Sequence, residues 1–95
     1  MKEIRLAGMT GSFAENKDKA REIRLKEIMP ALDRGEDITL DFSSVDSATQ
    51  SFVHALISDV IRKHGPGVLD RIYFKNCNET IRKIIEIVSE YMQEV

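Results

Sequence analysis

The residues most able to do chemistry crowd into one stretch, DFSSVDSATQSF at positions 41–52, with four serines, a threonine, two aspartates and a glutamine. The apolar run ITLDF ends there, and an apolar pattern at helical spacing resumes at Phe52. Hydroxyls at such a handover can cap a helix, cradle a phosphate, accept one covalently or supply a nucleophile. Helix N-termini attract anions through their free N–H groups and dipole. The turn SSVDSATQS, however, contains no glycine or lysine, and Asp46 would repel an anion laid against it. The plain reading is that Ser47 or Thr49 caps the following helix.

Three other constellations could carry chemistry. Cys77 follows a strand and precedes a helix, a setting that lowers a thiol pKa. A cysteine phosphatase or phosphocysteine carrier needs an arginine after five intervening residues. In CNETIR, Arg82 comes one residue early, Lys83 holds the expected place, and Glu79 has the wrong charge. Ser51, His54 and Ser58 share a helical face by spacing, with Asp59 alongside, in the manner of a hydrolase triad. No Gly-x-Ser-x-Gly elbow accompanies them, and His54 reads instead as the polar side of an amphipathic helix. His54 and His64 lack carboxylates placed to complete a metal site, and an Asp41–Asp46 pair is commonplace, so no metal or cofactor is expected.

The elements that must position these residues are legible in the pattern. Ninety-five residues, 42% hydrophobic and 32% charged, suit one globular domain over residues 1–95. A net charge of −2 with mixed signs gives no nucleic-acid footprint. A single cysteine permits no intrachain disulfide, and no apolar run is long enough to span a bilayer. These absences point to a soluble, cytoplasmic setting without membrane attachment.

EIRLAGM alternates as a half-buried strand, and MTGSF supplies turn chemistry. Residues 15–32 read as a helix with Ala20, Ile23, Ile28 and Leu32 inward, kinked or ended by Pro30 and stopped at Gly35. DITLDF is a second strand, and a helix from about Thr49 to His64 follows it, closed by HGPG. RIYF is a third strand. Asn76 or Asn78 then caps a last helix bearing Ile81, Ile84, Ile85, Val88 and Met92, and Asn76 with Glu79 resembles a capping box. The order β-α-β-α-β-α predicts an α/β fold, a small mostly parallel sheet with three helices. In such sheets function gathers at the carboxyl ends of the strands, where TGSFAEN, SSVDSATQS and NCNET would meet.

The strand ITLDFSSV, the helix start SFVHAL, the strand RIYFKN and the closing amphipathic helix together resemble STAS domains over roughly residues 20 to 92. That fold is shared by anti-sigma-factor antagonists and the cytoplasmic tails of sulfate transporters. The chain is more similar to the STAS-like family of unknown function. The resemblance implies a non-enzymatic protein-interaction module in bacterial signalling or regulation. Its partner would be a protein such as a GHKL-type ATPase or kinase, docked on the turn 43–51 and the exposed face of the next helix. The residues assigned to that surface are Asp41, Ser43, Ser44, Asp46, Ser47, Thr49, Gln50, Ser51 and His54.

In antagonists of this kind the turn reads Asp-Ser-Ser/Thr-Gly-Leu, and a kinase phosphorylates the serine after the aspartate. Matching Val45 and Leu56 to the flanking apolar positions sets Thr49 against that aspartate and Gln50 at the acceptor. Ser51, Thr49 and Ser47 remain as candidate phosphoacceptors. Phe52 stands where those proteins keep glycine, adding bulk where a partner's backbone would approach, and Asp41 matches a strand-ending aspartate expected to hold the turn. The alternative is a small α/β enzyme or phosphocarrier working from the strand-end loops. A homo-oligomer burying Ile87 or Tyr91 is a further expectation.

Overall fold

The computed structural model describes residues 1–93. Three parallel strands form the main sheet: β1 (Lys2–Arg5), β3 (Ile38–Asp41) and β5 (Ile72–Lys75), in the order β1-β3-β5. The first strand pairs parallel with β3 on the side opposite β5. The register aligns Ile4 with Leu40 and Phe74, and the next row aligns Arg5 with Asp41 and Lys75. Because side chains alternate across a sheet, these rows face opposite ways. Ile4, Ile38, Leu40 and Ile72 enter the core, whereas Glu3, Arg5, Tyr73 and Lys75 are exposed on the other face. The helical layer therefore covers one face only.

Among the described residues five α-helices form where three were expected, because short pieces flank the long ones. β1 stops at Arg5, short of the strand expected over EIRLAGM, whose last three residues belong to α1 (Ala7–Thr10). The two-residue strand β2 (Phe13–Ala14) begins at the end of the expected turn MTGSF. β2 pairs parallel with β4 (Ser47–Ala48) inside the hydroxyl-rich turn. A 3₁₀ helix at Pro66–Arg71 follows Gly65 and leads into β5.

The helix expected over 15–32 is a compound of three pieces: α2 (Lys17–Ile23), a π-helical turn at Arg24–Ile28, and α3 (Met29–Asp33). Asn16 caps α2 by accepting from the Asp18 and Lys19 N–H groups. The π turn has two causes in the sequence. Pro30 has no N–H to give, and widening the preceding turn relieves its clash with the carbonyls behind it. Ile23 and Ile28 are also five apart, a step that would carry Ile28 off the core face of an α-helix. With a π turn between them, both stay buried alongside Ala20 and Leu32. α3 ends as a Schellman motif, with Gly35 N–H on Leu32 O and Glu36 N–H on Ala31 O, and Gly35 at φ 84°.

α4 (Gln50–His64) packs against α2 on one side and α5 (Glu79–Gln93) on the other. Its apolar side, Phe52, Val53, Leu56, Ile57, Val60 and Ile61, is buried throughout. Arg24, on the π turn, reaches α4 and donates to the Ala55 carbonyl at 2.6 Å while its guanidinium lies 3.3 Å from Asp59. Ile81, Ile85, Val88 and Met92 bury the inner stripe of α5. No helix among the described residues is long and apolar enough to cross a membrane.

Candidate functional site at the strand ends

Asp41 ends the central strand and is 2% exposed, although it lies on the face the helices do not cover. Its neighbours in register, Arg5 and Lys75, flank it from both edge strands. Its Oδ1 accepts from the Ser43 hydroxyl at 2.6 Å, the Ser43 N–H at 2.9 Å and the Asn76 side-chain amide at 3.0 Å. The Arg5 guanidinium stands 4.0 Å from Oδ2. These donors favour the charged form: the Ser43 hydroxyl most, then the Asn76 amide and the Ser43 N–H. Together they hold the carboxyl well below the usual carboxylate range. The bond from a side-chain oxygen to the N–H two residues on is an Asx turn, which short acidic residues form readily. Asp41 thus holds the turn as the resemblance implies.

The rest of the turn is sewn to both neighbouring loops. Val45 N–H donates to Phe42 O at 3.0 Å, closing a tight turn in which Ser44 takes φ 66°. Asp46 N–H donates to Ser12 O at 2.8 Å, and Thr49 N–H to Ala14 O at 3.0 Å. From the opposite side, Asn76 donates to Ser43 Oγ at 2.8 Å and Asn78 to the Asp46 carbonyl at 2.6 Å. The three loops expected at the carboxyl ends of the strands do meet.

Two expectations change here. Asn76 does not open a capping box. It sits at φ 59° and turns its amide onto Asp41 and Ser43, while Asn78 Oδ1 caps α5 by accepting from Ile81 N–H at 2.9 Å. Phe52 adds no bulk to the surface, because its ring is fully buried under the first turn of α4. Of the two proposed caps for α4, Thr49 is the one used: its Oγ1 accepts from Phe52 N–H at 3.0 Å.

The remaining residues of the turn look outward. Ser44, Asp46, Gln50 and Ser51 are exposed, and Ser47 is half-buried. Gln50, Ser51 and half-buried His54 form one wall of an open groove of about 470 Å³, and Val88 and Tyr91 of α5 form the other. The His54 and Tyr91 rings lie 6.4 Å apart at 56° across it. The sequence indicated the first wall only. Asn76, Asn78 and Ser12, which lock the turn, and Tyr91, which faces it, come from segments brought near by topology.

The catalytic alternatives do not assemble. Ser51 is exposed while Ser58 is buried. Asp59 is held by Arg62 at 2.9 Å and Arg24 at 3.3 Å, away from any histidine role. Burial pushes the Cys77 thiol up, an effect that Arg82 opposes and Asp41 reinforces, the opposite of the lowering that its place between a strand and a helix suggests. His54 and His64 lie ten residues apart on one helix, about 15 Å along its axis. His64 Nε2 instead sits 3.3 Å from Asp33 Oδ1. No group of three or more His, Cys, Asp or Glu that could hold a metal occurs among the described residues.

A parallel three-stranded sheet, helices on one face and a braced polar turn at the strand ends define a small α/β domain compatible with a STAS-like fold. Residues 19–82, two thirds of the chain, match the model of the STAS-like domain of unknown function (DUF4325), and the chain belongs to that family. No curated protein and no solved structure matches it.

Proposed function

We propose that this STAS-like domain is a non-enzymatic interaction module in signalling, which docks a protein partner on the outer lip of the 43–51 turn. The observation that carries this reading is the division of the turn's polar groups. Asp41, Ser43 and Thr49 are spent on bracing the backbone. Ser44, Asp46, Gln50 and Ser51 are exposed on that rigid frame, beside the groove that His54 and Tyr91 share. A rigid polar rim next to an aromatic-lined depression suits partner recognition, because little ordering entropy is lost on binding.

The partner class is a GHKL-type ATPase or kinase, by the family resemblance. Such a kinase would find Ser51 exposed on the first turn of α4, whereas the Thr49 hydroxyl is engaged in the cap. A phosphate on Ser51 would add close to two negative charges beside Asp46 and alter the docking surface.

The test is a titration of the purified domain against a purified GHKL-type ATPase from the same cell. Saturable binding is expected, and Ser51→Asp should weaken it about ten-fold or more. Arg62→Ala, at the other end of α4, should leave it unchanged. Binding indifferent to Ser51→Asp, or no binding, would count against docking at the turn.

A further inference from the structure

α5 carries a buried apolar stripe and, beside it, a second apolar row that the core covers only at its Ile84 end. Ile81, Ile85, Val88 and Met92 are buried, but Ile84, Ile87 and Tyr91 form a second row at steps of three and four residues. Ile84 is half-buried, Ile87 is 51% exposed and Tyr91 is 59% exposed. Ile84 leans on the core, which leaves Ile87 and Tyr91 as adjacent large apolar side chains in water on an otherwise well-patterned helix, and such a pair marks a contact surface.

The charges beside the row say what covers it. Lys83 precedes Ile87 by four residues and Glu90 follows it by three, so both project from the same flank of the helix. Within the domain Lys83 has a long contact to Glu79, at 4.0 Å. Two copies of α5 laid antiparallel about a two-fold axis through Ile87 bring Ile87 against itself. The same operation sets Ile84 against Tyr91 and Lys83 against Glu90, each offset by about one residue's rise of 1.5 Å. A parallel pairing would set Lys83 against Lys83 and Glu90 against Glu90. The surface is self-complementary in the antiparallel orientation.

We infer that the outer row of α5 is a homodimer interface, with a second copy of this chain packed antiparallel across Ile87. The contact consists essentially of one helix pair, less than the roughly 800 Å² per partner of a standard interface. The dimer is therefore weak and reversible with concentration. Tyr91 also lines the groove beside the docking turn, so the two readings share that side chain. Ser51→Asp leaves the Lys83, Ile87 and Glu90 flank untouched, and the charge reversals at Lys83 and Glu90 leave the turn untouched, so the two tests fail separately.

Sedimentation equilibrium from micromolar to millimolar concentration tests it. The wild-type mass should rise from the single-chain 10.8 kDa toward twice that value. Lys83→Glu and Glu90→Lys should each raise the dissociation constant about ten-fold, because each replaces two attractive pairs with repulsive ones. The double swap should restore it to within about three-fold of wild type, a rescue that general damage to the helix cannot give. Ile87→Asp should leave a monomer whose circular dichroism melt shows it folded. A wild type that stays at single-chain mass throughout would overturn the inference, as would a dimer indifferent to both charge reversals.

Discussion

The inner and outer sides of the 41–52 segment are chemically alike in sequence and opposite in what they do. On the inner side, Asp41, Ser43 and Thr49 satisfy backbone and side-chain groups at 2.6–3.0 Å, and Phe52 fills the core beneath them. On the outer side, Ser44, Asp46, Gln50 and Ser51 are exposed. A count of hydroxyls therefore says little about a site. Whether a hydroxyl is available depends on whether the turn needs it as a strut, and here the two roles alternate within a dozen residues.

The sharpest break in this comparison should come from Phe52, the one position where the family resemblance suggested surface bulk. Its burial beside Phe42, Val53 and Leu56 makes it a core residue. Phe52→Ala should cost about 3–5 kcal/mol in denaturant unfolding, as large-to-small core changes do. A cost below about 1 kcal/mol would mean that the ring lies outside the core, and would return Phe52 to the outer side.

Asp41 should show the next largest effect, and it depends on pH. The fold holds its carboxyl below the usual range through Ser43 and Asn76, so folding favours the ionised form. For a depressed carboxyl the stabilisation is fully present above the unfolded-chain value of about 3.9 and is lost as pH falls through the folded value. Unfolding midpoints at pH 7 and pH 3 should therefore lie closer together in Asp41→Asn than in wild type, with the main loss at pH 7. An unchanged gap would show that the carboxylate does not brace the turn.

Sequence legibility followed the same divide. The strands, the two long helices and the meeting of three loops were readable, because alternation and helical spacing report on which face is buried. Ile23 to Ile28 and the nearby Pro30 also encoded the π turn, but a strict α-helical period hides a five-residue step. β2 and β4 went unread because two residues carry no periodicity, and their pairing spans a long stretch of chain. The place of β1 beside β3 was likewise set by tertiary pairing. At the site the sequence offers both Asn76 and Asn78 as the cap of the last helix, because an asparagine after a strand can cap a helix or accept positive φ, and Asn78 is the one that caps. Only the position of Asp41 and Ser43 across the sheet decides that Asn76 bridges to them.

The smallest effects sharpen the comparison most, because they set neighbours with the same chemistry against each other. Thr49→Ala removes the oxygen that accepts from Phe52 N–H and should cost about 1 kcal/mol. Ser51→Ala, two residues on, should stay within about 0.5 kcal/mol of wild type, since that side chain is exposed. Ser51→Asp should be equally well folded: a carboxylate on the first turn of α4 gains a few tenths of a kcal/mol from the helix dipole, which repulsion from Asp46 offsets. Thermal melts of the three variants check the order. If Ser51→Ala costs as much as Thr49→Ala, Ser51 is a strut, and the outer lip loses its candidate acceptor. If Ser51→Asp is stable and still weakens binding to the ATPase, the loss reports on the surface and not on the fold.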